Sequence, residues 1–189
     1  MRPPLVVFVL LGPPGSGKGT QGARLQAELG LRHVSTGELF REAVRQRTPA
    51  GQRAEAYLVS GELVPDEVVM QLVEEFLTTV ASRSVLFDGF PRTVRQAEAM
   101  EEVQAHLRAR LGGVILIDVP DALVLERLAV RGRADDSLET SRYRLAMYHA
   151  QTEPLVAYYL ARGVLHRVDG SSDVATVGAA VRATVEALR

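Results

Sequence analysis

The residues best suited to chemistry begin in one short stretch, GPPGSGKGT over 12–20. Gly12, Gly17 and Lys18 carry the spacing of a phosphate-binding loop, G-x-x-x-x-G-K-[ST], but Gly19 stands where the hydroxyl is expected and Thr20 follows it. Glycines at 12, 15, 17 and 19 let successive backbone N–H groups turn inward, a nest for an anion at a helix N-terminus. Lys18 is the single lysine of the chain; the other 21 of its 22 basic residues are arginine. In a chain so biased, one retained lysine marks a place where a compact, flexible ammonium is needed over a phosphate and a planar fork does not serve.

Two carboxylates have the position of a metal-holding aspartate at the end of a buried strand: Asp88 in SVLFD and Asp118 in VILID. The pattern alone does not choose between them. His33, His106, His149 and His166 have no acid–base or metal-ligand spacing and read as structural or surface residues.

These groups must be held by the elements around them. The runs 5–11, 84–87 and 113–118 are apolar without alternation and rich in β-branched residues, as in parallel strands covered on both faces. Shorter strands are predicted at 31–34 and 163–168, and helices at 17–29, 36–47, 51–60, 66–82, 93–109, 121–131, 137–161 and 174–188. Alternating strands and helices predict a doubly wound α/β fold in a single domain of 1–189. Two stretches interrupt the rhythm, 35–64 and the polar link RGRADD at 131–136, and both suit small lobes over the carboxyl edge of the sheet. Ser35 with Glu38, Thr93 with Gln96 and Asp136 with Glu139 have capping-box spacing, and Asp173 suits a further N-cap.

Composition narrows the partners. A net charge of −1 gives no basic surplus for a nucleic acid, and LVVFVLLG is too short to cross a bilayer. The absence of cysteine excludes disulfides and thiolate zinc. A soluble, cytoplasmic protein is expected.

Taken in order, GPPGSGKGTQ, STGELFR, GELVPD, DGFPRT and RGRADD resemble the adenylate kinase family in its short-lid form, over about residues 5–175. The resemblance implies a P-loop NTPase-like parallel sheet of about five strands, with an NMP-binding insertion at 35–64 and a lid at 131–136. It implies transfer of a phosphoryl group from MgATP to AMP by a monomer, with Mg²⁺ as the ion and no structural zinc. In this family the loop normally reads G-K-G-T, so Gly19 is its usual form. ATP would be held by Gly15, Ser16, Gly17, Lys18, Gly19 and Thr20, with Arg127 over its adenine, Ser171 in the loop VDGSSDV beside it, and Arg131 from the lid. AMP would be held by Thr36, Arg41, Leu63, Val64, Gly89, Arg92, Gln96, Arg133 and Arg144, Thr36 and Gln96 facing its base. Lys18, Arg92, Arg131, Arg133 and Arg144 would carry the catalysis. The resemblance favours Asp88 for Mg²⁺, held through water, and leaves Asp118 a structural role near the helix start that Pro120 marks. In the lid, Asp135 and Asp136 would pair with arginines on closure. Glu38 departs from the family, most members of which have Asp there.

Two alternatives remain at this point: a UMP/CMP kinase, which the short lid also suits, and a nucleotide-binding regulator without turnover. Thr36, Thr93 and Gln96 match the adenine-reading form, whereas uridylate kinases of this type resemble SAGE and GFPRN there.

Overall fold

The run Val6–Leu11 is apolar at every position, so both of its faces need cover, and it becomes the central strand of a parallel sheet. The computed structural model describes residues 4–60, 62–131 and 137–189. Its strands are β1 (Val6–Leu11), β2 (Arg32–Ser35), β3 (Ser84–Asp88), β4 (Arg110–Asp118) and β5 (Leu165–Asp169), in the order β2-β3-β1-β4-β5 with every pairing parallel. The chain leaves β1 toward one edge and crosses after β3 to the other. The resulting crevice lies beyond the carboxyl ends of β1 and β3, where ligands of such sheets bind.

Helices cover both faces. Phe8 and Leu10 pack with Leu25 of α1 (Lys18–Leu29) and with Val177, Val181 and Val185 of α9 (Val174–Leu188). On the opposite face Val7 joins Val73 of α4 (Asp66–Thr79) and Met100 of α5 (Val94–His106). Val9 and Leu11 meet Ala97 and, from α8 (Pro154–Ala161), Leu155. Each of the larger side chains among these, once taken from water, stabilises the fold by about 1.5–3 kcal/mol, which anchors the strand ends that carry the site. Helices α2 (Thr36–Arg45) and α3 (Pro49–Ser60) fill the interval between β2 and α4, while α6 (Asp121–Arg131) and α7 (Leu138–Met147) flank residues 132–136. No helix among the described residues is long and apolar enough to cross a membrane.

Several local expectations need correction. The single helix expected over 137–161 is α7, a π turn at Tyr148–Thr152, and α8. Pro154 has no N–H for the helical ladder, and just before it the ladder widens: the Glu153 N–H reaches back to the Tyr148 carbonyl at 2.8 Å. The helices expected to reach 82 and 109 stop at Thr79 and His106. Strand β4 starts earlier than expected because Arg110 and Leu111 pair with Val6 and Val7. Ser35 makes no side-chain cap on α2. The cap of α7 is Ser137, which accepts from the Thr140 N–H, and Asp136 lies outside the described residues. Asp173 caps α9 as expected, accepting from the N–H groups of Ala175 and Thr176.

Candidate active site

The loop after β1 and the start of α1 form the floor of a cleft of about 800 Å³. Gly17, at the N-cap of α1, has φ 96°, a left-handed conformation that glycine adopts without the steric cost other residues meet. Lys18 folds back over the loop and donates to the carbonyls of Gly12 and Pro13, each at 2.8 Å. Its ammonium is thereby held against the loop that precedes α1. Gly15, Gly17, Gly19 and Thr20 line the cleft with it, whereas Ser16 is buried beneath the loop at 2 % exposure.

Register brings Asp88 to this loop. It lies across from Leu10, and its Oδ2 is 3.5 Å from where a Cβ on Gly19 would stand. Asp118, at the end of β4, is instead exposed and ion-paired with Arg167 at 2.9 Å. Strand β2 supplies a residue that spacing gave no reason to suspect: His33 lines the cleft with its Nε2 3.8 Å from Asp88 Oδ2. Burial would raise the Asp88 carboxyl, but His33, Lys18 and Arg92 outweigh it and hold the group below its usual range.

Four arginines reach the cleft from separate elements: Arg41 on α2, Arg92 before α5, Arg127 on α6 and Arg144 on α7. Arg92 is open to the cleft on one side and enclosed by protein on the others, its Nε donating to the Gly89 carbonyl at 2.9 Å. Burial pulls its guanidinium below the ordinary range; Asp88 opposes this, and Arg144 and Arg41 add to it. Mutually repelling cations kept at such range favour an anion with several negative oxygens. Arg127 donates to the Ser171 and Ser172 carbonyls at 3.4 and 3.3 Å, tying the loop before α9 to α6. Arg133 and Asp135 lie outside the described residues, as does the Arg131 side chain.

A smaller cavity of about 40 Å³ adjoins the cleft, lined by Thr36, Phe40, Leu63, Val64, Gly89 and Gln96 among others. Gly89 has φ 79°, and a Cβ there would stand 3.2 Å from both Thr36 Oγ1 and Arg92 Nη2. The turn after β3 therefore needs a residue both permissive and small. Thr36 donates to the Gly89 carbonyl at 2.9 Å. Thr93 accepts from the Gln96 N–H at 3.1 Å as a capping box requires. The reciprocal bond falls one residue early, because Gln96 Oε1 accepts from Arg92 N–H at 2.7 Å rather than from Thr93.

The donor set of the cleft fits a small hard divalent cation. Such an ion binds through one or two carboxylates, keeps waters and shares phosphate oxygens, so Asp88, which lines the cleft together with Thr20, suffices and no cage is needed.

The family described as "Adenylate kinase" matches residues 10–164. Among curated relatives, the adenylate kinase of Thermus thermophilus is 46 % identical over 181 residues, covering 94 % of this chain and 95 % of its own. That of Synechococcus sp. is 44 % identical over 178 residues, covering 94 % and 97 %. That of Porphyromonas gingivalis is 40 % identical over 186 residues, covering 96 % of each. A glycine-rich loop with its lysine, an aspartate at the adjacent strand end and converging arginines thus accompany near-complete similarity to enzymes of one kind, and the chain belongs to the adenylate kinase family.

Proposed function

We infer that the protein catalyses reversible transfer of the terminal phosphoryl group of MgATP to AMP, giving two ADP. One observation carries the reading: Lys18 and its loop, Asp88, Arg41, Arg92, Arg127 and Arg144 all face a single cleft. A site for two adjacent nucleotide phosphates needs this much positive charge. The relatives are named adenylate kinase, which favours AMP over UMP or CMP as acceptor and turnover over mere binding.

The acceptor is already an anionic phosphate oxygen, so no residue has to remove a proton. Catalysis is alignment plus neutralisation of charge. In this reading Lys18 and the N–H groups of Gly15 to Thr20, Ser16 included, hold the donor phosphates. Arg127 and the Ser171 backbone border the donor base. Arg41 and Arg92 hold the acceptor phosphate, and Arg144 faces the group in flight. Thr36, Leu63, Val64, Gly89 and Gln96 surround the acceptor base. Asp88 would hold Mg²⁺, through water, and the ion when bound with ATP would offset the charge of the phosphates. Residues 35–64 form the acceptor lobe, and 131–136, with Arg131 and Arg133, the lid that excludes water. The same reading makes the protein a cytoplasmic monomer acting on small molecules.

The test is ADP formation from ATP and AMP by the protein and by Lys18→Ala. Turnover should fall by orders of magnitude in the variant with its unfolding curve unchanged. Full activity in Lys18→Ala, or none in the parent, overturns the reading.

A further inference from the structure

Gln96 is 2 % exposed, and both ends of its side-chain amide are already engaged. Oε1 accepts from the Arg92 backbone N–H at 2.7 Å, and Nε2 donates to Asp66 Oδ1 at 2.7 Å. Asp66 opens α4, does not itself line the small cavity, and also accepts from Thr93 Oγ1 at 3.3 Å through Oδ2.

These partners leave the amide one orientation. A backbone N–H only donates and a carboxylate only accepts. Turning the amide over would set NH₂ against N–H and carbonyl against carboxylate, losing both bonds. The side chain keeps one free lone pair on Oε1 and one free N–H on Nε2, with their identities fixed from behind.

Fixed identity matters for a purine. The six-membered edge of a 6-aminopurine offers an acceptor at N1 beside a donor at N6. A 6-oxopurine offers a donor at N1 beside an acceptor at O6. An amide free to turn over reads either one equally well; a pinned amide reads only one.

We propose that Asp66 is a specificity-determining positioning residue: by holding the Gln96 amide in one orientation it selects a 6-aminopurine monophosphate over a 6-oxopurine one. This rests on the reading above that Gln96 faces the acceptor base. The carboxylate acts through Gln96 and touches no substrate.

The experiment compares kcat/KM for AMP and IMP in the parent, Asp66→Ala, Asp66→Asn and Gln96→Ala. Asp66→Ala should lower the AMP-to-IMP ratio about tenfold, roughly what one net hydrogen bond contributes, with KM for MgATP unchanged. Asp66→Asn, whose Oδ1 still accepts, should keep the ratio within about threefold of the parent. A residue that merely braced α4 against α5 would lower the unfolding midpoint and leave the ratio alone. If Gln96→Ala collapses the ratio and Asp66→Ala does not, the proposal is overturned while the base reading stands. If Gln96→Ala leaves the ratio intact, the base reading itself has failed. Should Asp66→Ala not fold, the side-chain NH₂ resonances of Gln96 in the parent and Asp66→Asn decide. A carboxylate-bonded proton, shifted downfield and slow to exchange, is expected in the parent and should move upfield in Asp66→Asn. Its absence from the parent overturns the proposal.

Discussion

His33 stands 3.8 Å from Asp88 across neighbouring strands, and Gly22 of α1 packs directly against its ring. A Cβ on Gly22 would lie 2.3 Å from His33 Nε2. The ring is only 12 % exposed and has little room to retreat. Gly22→Ala should therefore destabilise the fold by about 1–3 kcal/mol, the cost of overpacking, in urea unfolding. His33→Ala in the same background should recover most of that loss. Equal stability of Gly22→Ala and the parent would show that the ring moves freely.

Asp88 and Asp118 share a sequence pattern but have different surroundings. Asp88 is held below its usual range by His33, Lys18 and Arg92 despite burial, and faces the Gly12–Thr20 loop. Asp118 meets Arg167 at the surface. Asp88→Ala should raise the Mg²⁺ concentration needed for half-maximal rate and lower the rate by at least roughly tenfold, as loss of a charge-bearing contact at a phosphoryl-transfer site would. Asp118→Ala should change both less than about twofold, since an exposed ion pair contributes little. The reverse order would move the metal reading to the other strand.

His149 gives the stability a pH dependence. Its Nδ1 lies 2.9 Å from Glu153 Oε2 and its Nε2 3.0 Å from Asp121 Oδ2. The Glu153 hydrogen bond raises its pKa above 6.5; slight burial opposes the rise and Asp121 reinforces it. The charged imidazole alone can donate at both nitrogens. A raised pKa means stability present in full below about 6.5 and lost as the pH climbs through the higher, folded value. All three side chains are about half exposed, so the increment is about 0.5 kcal/mol after solvent screening. Neighbouring Tyr148 is pushed up to about 12, first by burial, and stays neutral across this window. Urea unfolding at pH 6 and pH 9 should show the loss, and His149→Ala should remove that increment. A gain in stability on raising the pH through this range, abolished by His149→Ala, would contradict the assignment.

What could be read from sequence was what is local. The Gly12–Thr20 loop, the apolar runs and Asp88 at a strand end are short-range patterns, and the fold follows from their alternation. Ser35 and Asp136 had capping spacing, yet spacing says nothing of where a side chain turns: Ser35 does not cap, and Ser137 takes the role given to Asp136. Pro154 is a visible local signal for the break before α8, since it removes an N–H from the helical ladder. His33 beside Asp88 and Asp66 behind Gln96 are partnerships between distant segments. They exist only because β2 pairs with β3 and α4 packs on α5, and no spacing rule reports that.

The central claim is phosphoryl transfer to AMP, and kcat/KM for AMP, CMP and UMP with saturating MgATP tests it most directly. A pocket that hydrogen-bonds its base rejects a mismatched one because buried polar groups go unpaired. AMP should exceed both pyrimidine nucleotides by at least roughly a hundredfold. Efficient turnover of UMP or CMP by the unmodified protein would contradict the assignment, as would a folded protein that turns over none of the three.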